Sequence, residues 1–187
     1  MLNTIKKTNT RKSGEGFTII EVMIVLAIAA LIILIVLLAI PALKRSSRNT
    51  SIKSDASALA AGIGDFQSNN NGASPTKFVD TNGSVSIQNA TISTGATAQI
   101  QSATTINGST TGANFAVKTV PVAANVSAGA LYVDSGESCQ GTGGAPTASS
   151  RAFAIYYWVE SSGVIAGKDA NTGIINGAGL KGQCLDS

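Results

Sequence analysis

Three patterns of apolar residues succeed one another along the chain: an unbroken run, a stripe and an alternation. From Val22 to Ile40 nineteen residues carry no charge, which at about 1.5 Å of rise each is enough helix to cross roughly 30 Å of hydrocarbon. Beyond Pro41 the pattern changes: Ile52, Ala56, Leu59, Ile63 and Phe66 recur at spacings of four, three, four and three, and Lys53, Ser54, Ser57 and Ala61 fall opposite them. That is the stripe of a helix with one buried face. Gly62 and Gly64 each weaken it by about 1 kcal/mol relative to Ala, and Asn69 to Gly72 reads as its stop. Joined, the two segments predict one helix from Phe17 to about residue 70, roughly 80 Å long, with Pro41 as a kink rather than a break.

The remainder reads as β-rich. Residues 73–114 hold short Thr, Val and Ile runs between Asn-Gly and Ser-Gly turn signals, and the pattern leaves their register open. Further strands are expected from Asn114, from Gly129 and from Arg151. In the last, Phe153, Ile155, Tyr157 and Val159 alternate with Ala154, Tyr156 and Trp158, and Ser161-Ser162-Gly163 is expected to turn the chain into Val164 and Ile165 as a hairpin. Its aromatic face is expected to be core laid on a helix. The fold class is therefore α+β: a long N-terminal helix, membrane-spanning in its first half and amphipathic in its second, on a C-terminal antiparallel β-sheet head.

Charge is segregated. Eight of the 13 Lys and Arg precede residue 54. From Gly72 onward Lys77, Lys118, Arg151, Lys168 and Lys181 face Asp80, Asp134, Glu137, Glu160, Asp169 and Asp186, so the head is close to neutral and shows no clustered nucleic-acid footprint. The chain has no His and only two Cys, Cys139 and Cys184. It lacks the commonest zinc patterns and any Ser/His or Cys/His arrangement, and its scattered carboxylates form no calcium loop. No enzyme activity, metal or cofactor is expected. An even cysteine count outside the membrane reads as a disulfide, worth about 4 kcal/mol in the chain-entropy model; the alternative is two buried thiols.

The apolar run is too long for an ordinary secretory signal, and its small-x-small triplet, Ala27-Ile28-Ala29, lies mid-run, so the helix is expected to be retained. Lys44, Arg45, Arg48 and Lys53 behind the run balance Lys6, Lys7, Arg11 and Lys12 before it, leaving topology undecided by charge. The cysteines and the polar bulk favour N-terminus in and C-terminus out. Glu21 stands at the lip of the run, and Thr18-Ile19-Ile20-Glu21 fits a capping box.

A basic leader ending at Gly16, then Phe17-Thr18-Ile19-Ile20-Glu21, a long apolar helix, an amphipathic continuation, a β-rich head and a late cysteine pair together resemble the type IV pilin family and its relatives, the pseudopilins of type II secretion. The motif covers Gly14 to about Pro41. The resemblance implies a cleaved leader (1–16), an assembly and transmembrane helix (17–43), its amphipathic continuation (44–71) and a head (72–187) in the pilin fold. It implies cleavage between Gly16 and Phe17 by a membrane prepilin peptidase and N-methylation of Phe17. Glu21 would then pair with a neighbour's N-terminal amine and set axial register, a use of a buried charge that specifies rather than stabilises. The implied partners are further copies of the chain in a helical filament, the pilus assembly machinery and, before assembly, the cytoplasmic membrane. The implied destination is the cell surface, for adhesion, motility or DNA uptake. A pseudopilin of a secretion or competence system and a single-pass tethered binding domain are the alternatives. Pro41 stands about one helical turn later than the family's usual helix proline, and Glu15 replaces a residue that is often basic.

Overall fold

A computed structural model of the chain describes residues 16–93, 95–103, 105–106, 113–114, 116–117, 126–140 and 145–186. Leader residues 1–15 and most of the run expected from Asn114 lie outside them. The chain divides into two compact units, Met1–Ala42 and Leu43–Ser187. One helix, α1 (Ile19–Asn69), supplies all of the described regular structure of the first unit and enters the second.

Pro41 lies inside α1 without ending it. In the first unit every described residue is exposed, Phe17 at 88%. The run is long and apolar enough to cross a membrane. In the second unit Ile52, Ala56, Leu59, Ile63 and Phe66 are all buried, as the stripe predicts. Asn71 (φ 53°) and Gly72 (φ 76°) turn the backbone left-handed, and the Gly72 amide closes on the Gln67 carbonyl at 2.8 Å, a cap of Schellman type. Gly62 has a packing reason: a Cβ there would stand 2.7 Å from Ile87 Cδ1 and 3.2 Å from Ala98 Cβ. The glycine that weakens the helix is what lets it lie close on the sheet.

Three strands follow as an antiparallel meander: β1 (Lys77–Thr81), β2 (Ser84–Gln88) and β3 (Ala96–Gln99). Asn82 (φ 53°) and Gly83 (φ 84°) form the two-residue turn that pairs Thr81 with Ser84, the left-handed pair that favours Asn-Gly in hairpins. The β-strands β4 (Thr105–Ile106), β5 (Ala113–Asn114) and β6 (Ala116–Val117) are short; β5 closes the first sheet in the order β3-β2-β1-β5. The larger sheet is built on β7 (Ala130–Cys139), β8 (Pro146–Glu160) and β11 (Leu180–Asp186), in the order β11-β8-β7-β4. A small ladder of β9 (Gly167–Lys168) and β10 (Ile175–Asn176) precedes β11.

One expectation is corrected. Val164 and Ile165 do not return against the aromatic strand; β8 pairs with β7 and β11, with Tyr156 between Tyr132 and Cys184. The 15-residue β8 is central, flanked by β7, the strand just before it in the chain, on one side and by β11 on the other. The antiparallel sheet of the head carries two short parallel additions, β4 and β6, both on β7.

The alternation along β8 serves two cores. Phe153, Ile155 and Tyr157 join the α1 stripe together with Phe78, Val85, Ile87, Leu131 and Val133. On the opposite face Ala154, Tyr156 and Trp158 pack with Ala130, Tyr132, Ile174 and the two cysteines. There Trp158 Nε1 donates to the Ile175 carbonyl at 2.7 Å, and Gly182 is pressed so close that a Cβ would lie 2.5 Å from Ile174 Cγ2.

Candidate functional site

The start of α1 is built by a reciprocal cap. The Thr18 amide donates to Glu21 Oε2 at 2.7 Å, the Thr18 hydroxyl donates to the same oxygen at 2.8 Å, and the Glu21 amide donates to Thr18 Oγ1 at 3.3 Å. The Thr18 carbonyl takes the first helical bond, from Val22 at 3.3 Å. Helical N–H groups without partners are thereby satisfied by side chains, and a carboxylate sits at the positive end of the helix dipole. Gly16 lies in open space: a Cβ added to it would meet nothing within 4 Å. Gly16, Phe17 and Glu21 thus gather at one exposed helix terminus.

Residues 11–37 match the family model for the prokaryotic N-terminal methylation motif. The chain carries a prepilin leader motif. No curated protein and no solved structure matches the chain. The motif spans Gly16, Phe17 and Glu21 and most of the apolar run, and it marks type IV pilin-like and pseudopilin proteins. The prepilin motif implies processing by a prepilin peptidase, and with the apolar helix it fits membrane insertion. The long helix on β-sheets is the matching pilin-like α+β architecture.

In the second unit a set of polar contacts fastens α1 to the sheet, through residues that the sequence reading passed over. Arg48 holds the Glu160 carboxylate with two bonds, Nε to Oε1 at 2.5 Å and Nη2 to Oε2 at 2.8 Å, and Arg45 Nε stands 3.9 Å from Oε2. Asn49 grips the backbone of the same residue: its Nδ2 donates to the Glu160 carbonyl at 2.9 Å and its Oδ1 accepts the Glu160 amide at 2.7 Å. The Arg48 bond, aided by the charges of Arg48 and Arg45 and opposed by partial burial, holds the Glu160 carboxyl below its ordinary range. About two turns further along α1, buried Asp55 accepts the amides of Gln101 (3.0 Å), Ser102 (2.6 Å) and Ala103 (2.7 Å). Asp55 left a trace in the sequence, since a carboxylate three residues after Ile52 interrupts the apolar stripe. Asn49 and Glu160 left none.

Cys139 and Cys184 are joined in a disulfide that ties β7 to β11, the two neighbours of β8. Both cysteines are buried, and the Asp186 carboxylate accepts the Cys139 amide beside them. Nearby, the Tyr156 hydroxyl donates to Glu137 Oε2 at 2.5 Å. Burial first, then that bond and the charges of Glu137 and Asp134, push the phenol well above its usual value. Among the described residues no group of three or more His, Cys, Asp or Glu is placed to hold a metal.

Proposed function

We propose that the chain is a structural subunit of a type IV pilus, polymerising through its apolar helix into a surface filament, and that it is not an enzyme. The observation that carries this reading is the coupling of the methylation motif to an apolar helix whose every residue is exposed over Phe17–Leu43. An apolar cylinder of that length is stable in only two settings, a bilayer or a bundle of its own kind. Before assembly it lies in the cytoplasmic membrane as a single pass, N-terminus in; afterwards it lies in the filament core.

The residue roles follow. Gly16 is the last leader residue; nothing in the chain's own packing requires a glycine there, so the requirement is assigned to the peptidase, which cuts before Phe17 on the cytoplasmic side. Phe17 becomes the methylated N-terminus. Glu21, capped by Thr18 in the single chain, takes a neighbour's amine and fixes the stagger. Apolar packing is non-directional and selects no axial position, whereas one buried ion pair does. Pro41 kinks the helix within the assembly segment.

Intact-mass analysis of surface filaments tests the proposal and is expected to find a chain beginning at methylated Phe17. Recovery of full-length, membrane-bound protein alone would overturn it. Glu21→Leu is expected to insert normally yet block filament growth, and normal filaments from that variant would remove the register role. Sparse chains confined to a secretion or uptake machine would replace the pilin by a pseudopilin.

A further inference from the structure

We propose that Asn82, at the tip of the β1–β2 hairpin, is an acceptor of N-linked glycosylation, taking its sugar chain from an oligosaccharide carried on a lipid diphosphate. The inference rests on the N-in, C-out precursor proposed above, because it needs the second unit on the non-cytoplasmic side. The acceptor pattern Asn-x-Ser/Thr occurs five times, at Asn49, Asn82, Asn89, Asn107 and Asn125. In so polar a chain the pattern alone selects nothing. What selects Asn82 is its surroundings.

Two of the other asparagines are engaged in the fold. Asn49 lies within α1 and holds the Glu160 backbone through both ends of its carboxamide. Asn89 Oδ1 accepts the Thr91 amide at 2.9 Å, the Thr91 hydroxyl at 3.0 Å and the Ile92 amide at 2.7 Å, so the asparagine and the hydroxyl of that pattern close on each other. Asn107 and Asn125 lie outside the described residues. Asn82, by contrast, is exposed, at a left-handed φ of 53° in the two-residue turn that joins Thr81 to Ser84. The second turn residue is the one that faces the body of the unit. A Cβ on Gly83 would stand 2.7 Å from the Ile100 carbonyl oxygen, and the Ile100 amide donates to the Gly83 carbonyl at 2.8 Å. A sugar chain on the exposed Asn82 carboxamide extends into solvent and displaces no core residue.

Asp80 adds the chemistry. It stands two residues before Asn82, whereas Ser47, Ile87, Thr105 and Ala123 hold that place before the other four asparagines. A carboxylate there offers a cation of the transferring enzyme a charge-assisted bond. In the closed hairpin Asp80 Oδ1 accepts the Gly83 amide at 3.0 Å, so transfer acts on residues 80–84 before the turn closes, and the folded turn then displays the product. Ser84, the hydroxyl of the pattern, accepts a bond from Gln99 Nε2 at 3.1 Å, which leaves its own hydrogen to donate. In the transfer Asn82 Nδ2 attacks the first carbon of the sugar. The N–C bond forms, the C–O bond to the lipid diphosphate breaks with its electron pair staying on the phosphate oxygen, and one carboxamide proton passes to a base of the enzyme.

The test takes the full chain from its own cells and reads the peptide that carries residue 82 by mass spectrometry, with fragmentation that leaves the sugar attached. An oligosaccharide mass on Asn82 is expected. Asn82→Gly, which keeps the positive φ of the turn, is expected to remove it altogether, and Ser84→Ala, which leaves the acceptor in place, to remove most of it. Asp80→Asn, which keeps an oxygen for the Gly83 amide, is expected to lower occupancy several-fold, whereas Asn89→Asp leaves it unchanged. The state of Cys139 and Cys184 is read on the same sample, since a closed pair reports an oxidising compartment. An unmodified Asn82 in a chain with the disulfide closed would overturn the acceptor site alone. An unmodified Asn82 with both thiols reduced would overturn the topology and the site with it. Sugar carried only on Ser or Thr hydroxyls would overturn the N-linked assignment, and full occupancy in Asp80→Asn would overturn the part given to Asp80.

Discussion

Thr18 and Glu21 satisfy each other in the single chain, so the carboxylate has a local structural use before any neighbour arrives. Thr18→Ala is expected to weaken the start of α1 by about 1 kcal/mol, visible as faster amide exchange at Glu21 and Val22 with little change in the head. Glu160 makes a different prediction. Its carboxyl is depressed below its ordinary value, chiefly by the Arg48 bond. The folded state therefore binds its proton less readily than the unfolded chain. The stabilisation is fully present above the unfolded value and is lost as pH falls through the lower folded one. As an exposed, solvent-screened pair its contribution is small. Acid titration of the denaturation midpoint is expected to show a shallower fall below pH 4.5 in Arg48→Gln than in the parent chain.

At the scale of elements, the amphipathic half of α1 is held by apolar packing and positioned by polar contacts. Gly62 and the buried stripe bring the helix against β2 and β3, while Asp55 anchors residues 101–103 and Asn49 anchors the end of β8. Asp55→Ala leaves three backbone donors of a loop without their acceptor, a cost on the order of 3 kcal/mol. Denaturant unfolding of the detergent-solubilised chain, followed by Trp158 fluorescence, measures it. Amide exchange should localise the loosening to Gln101, Ser102 and Ala103. Unchanged exchange at those amides would show that the carboxylate does not hold the loop.

For the molecule as a whole, the disulfide connects residues 45 apart in sequence. In the chain-entropy model its loss is worth about 4 kcal/mol, as an upper figure. The Cys139→Ala, Cys184→Ala pair is expected to unfold at clearly lower denaturant while keeping the helix, and an unchanged midpoint would show that the two cores hold β7 and β11 without it. Much of this architecture is legible along the chain, because it follows from periods shorter than ten residues. The unbroken run, the stripe from Ile52 to Phe66, the Asn82-Gly83 turn and the two-faced alternation of Phe153 to Trp158 each record a local geometry that side-chain type must match. The cap at Thr18 and Glu21 is equally local. What escaped is set by meetings of distant segments. The run after Gly163 looks like a return strand, yet β11, after β9 and β10, takes that side of β8; the grip of Asn49 on Glu160 spans 111 residues. A polar residue on a helix reads the same whether water or a distant backbone amide satisfies it. The sequence by itself determined a long helix, a β-rich head and a prepilin terminus, since periodicity and motif are properties of neighbours. Only the tertiary structure decided which strands flank β8 and what Asp55 and Asn49 hold, because each depends on which backbone groups chain folding leaves within hydrogen-bonding reach.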